Sequence, residues 1–482
     1  MKVKQFWAVL AAAGLGTRTV TALDDDLKVN VDSIESTKAA ATAIARGAVK
    51  YYKGNEPGEV PGLLPEPYNW WQSAVLFGTL VDYRHFTGDS SYNDLAKQGL
   101  SAQMGQNHDF QPVNQSRQLT NYVQAQWGLA AMSAAEFSFD APGSDGPEWV
   151  DLAKAVFDTQ VKRWDDKKCG GGLRAQINTN SGPASVKDSM SNGAFFELSA
   201  RLARYTKDET HANWAKKAWD WMSDVGLLTN DFKVYDSTDS ETDCKVVDKF
   251  QWSVNVGTLL SGAVNMYNST NGDSTWKSRV EGLLRGADMF FKNDIMIEPA
   301  CEPNNKCNLD QKAYKAVLSR ALGTTLQLAA FTNVIATPKV KASARAAVDE
   351  CENENGFQMC SFDWVDADND HDDRDDHDDH DDHDDHDDHD DDDDDETLGE
   401  QLSALQIVLA VLAGSGDAPP PGRQNSPGGS PGGSRGGGSG GTPTNGAPPG
   451  TSSPSAASST MDLGLQQWGA IIGMSAVVAL VM

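Results

Sequence analysis

Along most of the chain, apolar residues return every three to four positions, and few stretches alternate in the way that marks a strand. That period predicts helices over Ser33–Gly54, Trp70–Phe86, Ser91–Met104, Asn121–Phe137, Pro147–Lys162, Asn192–Tyr205, His211–Val225, Trp252–Tyr267, Ser274–Phe291, Gln311–Thr332, Val340–Glu352 and Leu398–Leu412. The junctions repeat as well: Tyr83 to Gly88-Asp89 to Tyr92, Tyr205 to Asp208 to His211, and Tyr267 to Gly272-Asp273 to Trp276. Each reads as a helix end, a Gly or polar turn, an Asp or Ser cap, and the first turn of the next helix. Helical hairpins recurring at roughly 50 to 70 residues imply a ring or solenoid of helix pairs. About a dozen helices make six pairs, so the expected fold is all-α, a closed (α/α)6 barrel. An open solenoid is the alternative, but its repeats would be more uniform in length.

Two interruptions set the domain limits. From Asp366 to Glu396 the chain is nearly all aspartate, punctuated by His371, His377, His380, His383, His386 and His389. Such a run has no apolar surface to bury and is expected to stay solvated. The helical pattern resumes at Leu398, so the run is read as a loop inserted at 366–396 into a domain spanning 23–414. From 415 to 454 the sequence is rich in Pro, Gly and Ser, the composition of a flexible tether.

The termini point to export. Met1-Lys2-Val3-Lys4, an apolar run from Phe6 to Leu15, and small residues at Val20-Thr21-Ala22 match a secretory signal over 1–22. Residues 455–482 place small residues at Ser455-Ala456-Ala457-Ser458-Ser459 ahead of an apolar run from Trp468 to Met482. This is the pattern of a glycosylphosphatidylinositol attachment signal; a membrane-spanning tail is the alternative, but the run is short for a span. The expected location is therefore the outer face of the plasma membrane or the cell wall.

Export makes six cysteines candidates for disulfides. Cys301 with Cys307 and Cys351 with Cys360 are the near pairs, leaving Cys169 with Cys244, though six cysteines allow fifteen pairings. Asn114 and Asn268 begin glycosylation sequons. The formal charge of -29 disfavours nucleic acid as a partner. Because the aspartate run carries much of that charge, it says little about the domain. Repeated His-Asp-Asp units suit zinc, copper or nickel, with plain solvated filler as the competing reading.

Between the first two helices lies a loop dense in Pro and Gly, Pro57-Gly58…Pro61-Gly62-Leu63-Leu64-Pro65, ending at Tyr68-Asn69-Trp70-Trp71. Adjacent indoles offer the flat faces on which sugar rings stack, although such a pair at a helix start is more often core packing. These segments are joined by Asp82-Tyr83…Thr87-Gly88-Asp89, Gln124-Ala125-Gln126-Trp127-Gly128-Leu129, Cys169-Gly170-Gly171-Gly172-Leu173-Arg174, Ser191-Asn192-Gly193-Ala194-Phe195-Phe196 and Gly399-Glu400-Gln401-Leu402. Together, from about Asp25 to Leu412, the chain resembles the fungal members of glycoside hydrolase family 76, mannan endo-1,6-α-mannosidases that include lipid-anchored yeast wall proteins. The resemblance implies an (α/α)6 barrel acting on α-1,6-mannan or the mannose of lipid anchors, by hydrolysis or transglycosylation, with no cofactor. It also implies substrate contacts at Asn69, Trp70, Trp71, Asn121, Gln124, Trp127, Asn192 and Asn255.

One stretch breaks the resemblance. Cleaving a glycosidic bond with retention needs a carboxylate nucleophile and a carboxylic acid about 5 Å apart. The family supplies an adjacent Asp-Asp within Asn-Asp-Asp-Gln, where this chain reads Asn121-Tyr122-Val123-Gln124. Valine has no group to donate, accept or attack, and a tyrosine hydroxyl with its ordinary pKa of about 10 is a poor acid at neutral pH. Further departures are Gln72 for a glutamate, Arg84 for a tryptophan, Val254 and Val256 for tyrosines flanking Asn255, and Ala321 for an aromatic. Asp109 is the nearest spare carboxylate, as a turn residue or as a catalytic substitute. Three readings follow: a working mannosidase or transglycosylase, a glycan-binding pseudoenzyme, and a metal-binding aspartate–histidine loop independent of the barrel.

Overall fold

Polar caps start many of the helices. Ser33, Thr120, Asp188, Asp208 and Asp273 each accept a backbone N–H of the following turn through their side chains, satisfying donors that a helix leaves free. At the repeated junctions Gly88 and Gly272 turn the chain with φ of 80° and 90°, and Lys207 adopts the same left-handed region at 61°.

The computed structural model describes residues 27–143, 146–178, 184–365, 397–417 and 420–422. The expected signal segment, the aspartate–histidine run, most of the tether and the attachment signal lie outside them. Among the described residues there are twelve α-helices: α1 Ile34–Val49, α2 Trp70–Thr87, α3 Asn93–Ala102, α4 Asn121–Glu136, α5 Trp149–Arg163, α6 Ser189–Thr206, α7 Glu209–Asp224, α8 Ser253–Ser269, α9 Ser274–Gly286, α10 Tyr314–Leu328, α11 Asn333–Asp349 and α12 Leu398–Ser415. Short strands β1 Val186–Asp188, β2 Ser237–Asp239 and β3 Val247–Asp248 form an antiparallel sheet. Two small hairpins complete the set, β4 Phe291–Lys292 with β5 Ile295–Met296, and β6 Cys351–Glu354 with β7 Phe357–Cys360.

Helices α2, α4, α6, α8, α10 and α12 pack in that order and α12 returns to α2, which closes the inner ring; α1, α3, α5, α7, α9 and α11 lie outside it. This is the (α/α)6 barrel. Composition explains the sorting. Outer helix α7 buries one stripe, including Ala215, Ala218, Trp219 and Met222, whereas every residue of α12 from Leu398 to Ala413 is buried. Helix α12 is long and apolar enough to cross a membrane, but its surface is spent on the barrel wall.

The sequence pattern misjudges a few ends. The stretch from Gln311 to Thr332 is not one helix: α10 is flanked by short 3-10 turns at Gln311–Ala313 and Ala330–Thr332. Helix α11 begins at Asn333 rather than Val340 and carries Pro338 inside it, where the ring removes one backbone hydrogen bond of the helix. The six cysteines form Cys169–Cys244, Cys301–Cys307 and Cys351–Cys360. Asn114 is exposed, and Asn268 lies half-buried in the last turn of α8.

A charged network runs through the interior at the C-terminal half of the inner ring. Glu136 of α4 pairs with Arg201 and Arg204 of α6 at 2.7 Å each. Asp82 of α2 accepts from Arg320 of α10 at 2.6 Å and from Gln406 of α12 at 3.0 Å. Glu197 accepts from Ser261 of α8 at 2.8 Å. Arg204 also donates to the Pro421 carbonyl, so the chain after α12 closes this end of the barrel. The N-termini of the inner helices lie at the opposite end of the ring.

Candidate functional site at the barrel mouth

Each inner helix of a hairpin ring starts at the same end, so residues at or just before those starts converge. Trp71 of α2 and Tyr122 of α4 have ring centroids 5.8 Å apart, and Trp71 lies 6.3 Å from Tyr314 of α10. Tyr314 meets Trp252, the cap residue of α8, edge-on at 5.7 Å. Asp310, just before α10, accepts from the Trp71 indole at 2.6 Å and from the Asn69 amide at 3.1 Å, tying α2 to α10 across the mouth. Asp188 caps α6 by accepting the Ser191 N–H at 2.8 Å. The antiparallel pairing of β1 with β2 sets Asp236 next to it, with Ser189 N donating to the Asp236 carbonyl at 2.8 Å. A small cavity of about 40 Å³ lies deeper, lined in part by Gln126, Ser133, Glu197, Ser261, Arg320 and Ala321.

Burial and crowding of like charges govern the electrostatics. Desolvation, reinforced by Asp188 and Asp248, pushes the Asp236 carboxyl up to about 6, while Asn255 and Ser237 draw it partly back. Burial also raises Asp188 above the usual carboxylate range. Glu298, fully buried beneath the start of α8, accepts from the Ser253 N–H and hydroxyl, and burial pushes it up to about 8 against the pull of nearby Lys315. The Tyr122 hydroxyl is driven well above 10 by burial and then by Tyr314, Asp310, Glu197 and Asp188, and it has no hydrogen-bond partner. It is therefore held protonated and cannot act as an anionic nucleophile at neutral pH.

Of the residues expected to contact substrate, the structure gathers Asn69 and Trp71 at the mouth, next to the substituted position Tyr122, and places Asn255 beside Asp236. Others are structural. Trp70 is 2% exposed, packs at a tilt with its ring 5.0 Å from that of the fully buried Trp127 and donates to Gln103, because one residue step turns a side chain about 100° around a helix. Asn121 and Gln124 accept from Arg163 at 2.7 and 2.6 Å on the face of α4 that meets α5. Asn192 is fully buried and bridges both backbone groups of Leu173. Val123 is 8% exposed. Asp109 is buried on the α5 side: Gln111 donates to its carboxylate, Gln124 to its carbonyl, and its charge acts on Arg163.

The departures from the family pattern have plain roles. Gln72 completes the cap of α2 and donates to the Leu309 carbonyl at 3.0 Å, so it holds the Asp310 loop instead of supplying an acid. Arg84 reaches the Phe137 carbonyl, and Val254 and Val256 are buried. Asp188, Asp236, Trp252, Asp310 and Tyr314 were not singled out from the sequence. The signal available was position: each lies at or near the start of an inner helix, apart from Asp236, which strand pairing delivers.

No group of three or more His, Cys, Asp or Glu residues able to hold a metal ion occurs among the described residues. What the mouth offers is three carboxylates at one rim, several aromatic faces and a buried hydroxyl, a set able to accept sugar hydroxyls and stack sugar rings. On α4, the inner-facing positions at the mouth carry only Tyr122 and Val123.

Comparison with known proteins agrees with this architecture. The sequence model described as Glycosyl hydrolase family 76 matches residues 36–422. The mannan endo-1,6-α-mannosidase DCW1 of Saccharomyces cerevisiae is 36% identical over 436 residues, covering 90% of this chain and 91% of its own. Dfg5 from Chaetomium thermophilum, solved in complex with glucosamine, is 36% identical with a TM-score of 0.72, covering 82% of this chain and 93% of its own. An inactive variant of a Salegentibacter α-1,6-mannanase, with two consecutive aspartates changed to asparagine and α-1,6-mannotriose bound, shares the fold at 16% identity and a TM-score of 0.58, covering 78% of this chain and 99% of its own. A match over most of the chain, on a closed six-hairpin barrel, means that this protein belongs to glycosyl hydrolase family 76.

Proposed function

We propose that the barrel mouth binds α-1,6-linked mannose glycans of mannan or lipid-anchor type and that hydrolysis is lost or much weakened. The mannan specificity is taken from the relatives named as mannan endo-1,6-α-mannosidases. The observation that carries the loss is the packing at the start of α4. Tyr122 and Val123 are 6% and 8% exposed, and Tyr122 packs against Trp71, where general acid–base cleavage needs ionisable groups. The carboxylates nearest Tyr122 are engaged elsewhere: Asp188 with its helix cap, Asp310 with Trp71 and Asn69, and Glu197 with Ser261 and Arg201.

The test is to titrate the secreted protein with α-1,6-mannooligosaccharides and assay release or transfer of sugar. Binding without turnover is expected, and joint Tyr122→Asp and Val123→Asp substitution is expected to raise turnover at least tenfold. Turnover by the unaltered protein comparable to an active relative would overturn the reading.

Export and lipid anchoring belong to the same proposal and rest on the sequence patterns at 1–22 and 455–482. Removing residues 455–482 is expected to release the protein into the medium. The aspartate–histidine run at 366–396 is proposed separately to capture divalent metal through His371, His377, His380, His383, His386 and His389. Zinc calorimetry on the whole chain and on a 366–396 deletion tests it, and equal binding by both would end the idea.

A further inference from the structure

Aromatic rings continue outward from the mouth onto the surface. From Tyr122 the centroids step 5.8 Å to Trp71, 6.3 Å to Tyr314, 5.7 Å to Trp252 and 6.1 Å to Phe250. Exposure rises along the same path. Tyr122 and Trp71 are 6% and 4% exposed, Tyr314 and Trp252 are half-buried, and Phe250 is 59% exposed. Phe250 lies nearly parallel to Trp252, with 15° between their planes.

Lone exposed apolar side chains such as Val113 and Val334 are ordinary on a protein surface. Phe250 differs in being held in place and in extending an existing row. Its N–H donates to the Asp248 carboxylate at 3.1 Å at the end of β3. Strand pairing with β2 and the Cys169–Cys244 bond anchor the segment before it, and α8 begins three residues after it. Such a ring loses little freedom when a ligand stacks on it, so more of the contact energy appears as affinity. The flanking groups fit a hydroxylated ligand. Asp310 and Asp188 act on the Tyr122 hydroxyl at the inner end of the row, and that hydroxyl is buried without a hydrogen-bond partner.

We infer that Phe250, stacked on Trp252, forms an outer subsite for one further hexopyranose of a glycan whose inner sugars occupy the barrel mouth. This rests on the glycan-binding reading above and adds where the chain leaves the cleft. The ring faces stack the apolar side of a pyranose, and steps of about 6 Å are of the same scale as one sugar unit. A subsite of this kind makes affinity depend on ligand length. Short oligosaccharides that fill only the mouth do not reach it.

The experiment compares α-1,6-mannobiose with α-1,6-mannohexaose by calorimetry on the whole secreted protein, unaltered and as Phe250→Ala and Phe250→Trp. The expected result for Phe250→Ala is about tenfold weaker binding of the hexaose, unchanged binding of the biose and unchanged Tm, with Phe250→Trp retaining hexaose affinity. Equal hexaose affinity in Phe250→Ala and unaltered protein would overturn the subsite while leaving the mouth reading intact. An equal loss for both ligands would also overturn it, because the effect would then not be that of an outer position. Failure of the unaltered protein to bind either ligand would overturn both readings.

Discussion

Trp70 and Trp71 show how one step around a helix separates core from cleft. Trp70 sits against Trp127 and Gln103, while Trp71 faces Asp310 and Tyr122. Trp70→Ala is therefore expected to cost about 3–5 kcal/mol in urea unfolding, from lost burial and the cavity left behind. Trp71→Ala should cost less stability and more oligosaccharide affinity. Equal stability losses with unchanged binding would contradict this division. The pair was legible as two adjacent indoles, but which of them packs into the core and which meets Tyr122 and Asp310 was not, because two neighbours share a motif and not a direction. The same holds for Asn121, Gln124 and Asn192, whose amide groups pair with Arg163 and the Leu173 backbone. In contrast, the silence of Val123 could be read from its chemistry alone.

Among the elements, the start of α8 carries an unusual group. Glu298 is buried under Ser253 and pushed up to about 8, well above the ordinary glutamate value of about 4.3. The folded state thus binds a proton that the unfolded chain releases, and stability falls as pH rises between those two values, by up to about 1.4 kcal/mol per unit. Asp236, raised to about 6, adds a fall of the same sign at lower pH. Unfolding free energies measured from pH 5 to 8 should decline more steeply in the unaltered protein than in Glu298→Gln, and identical slopes would refute it. Helix positions were legible because period and caps agree locally. The breaks around α10 were not, since a turn of 3-10 helix keeps nearly the same apolar spacing.

At the scale of the molecule, the sealed end of the barrel depends on charges contributed by several inner helices. Glu136→Ala would leave Arg201 and Arg204 buried without their shared anion and should destabilise by about 3–5 kcal/mol, read as a lowered urea midpoint. Breaking Cys169–Cys244, which closes a separation of 75 residues, is expected to cost about 4 kcal/mol under non-reducing conditions and to loosen the segment carrying Phe250. By itself the sequence determined the helical class, the hairpin count, the family and the presence of Tyr122 and Val123 within Asn121–Gln124, because periodicity, caps and side-chain chemistry are properties of short stretches. Tertiary structure alone decided the rest. Which face of each inner helix looks into the mouth, and whether Asp188, Asp236 and Asp310 come near one another, follows only when residues far apart in sequence are brought together by closing the ring.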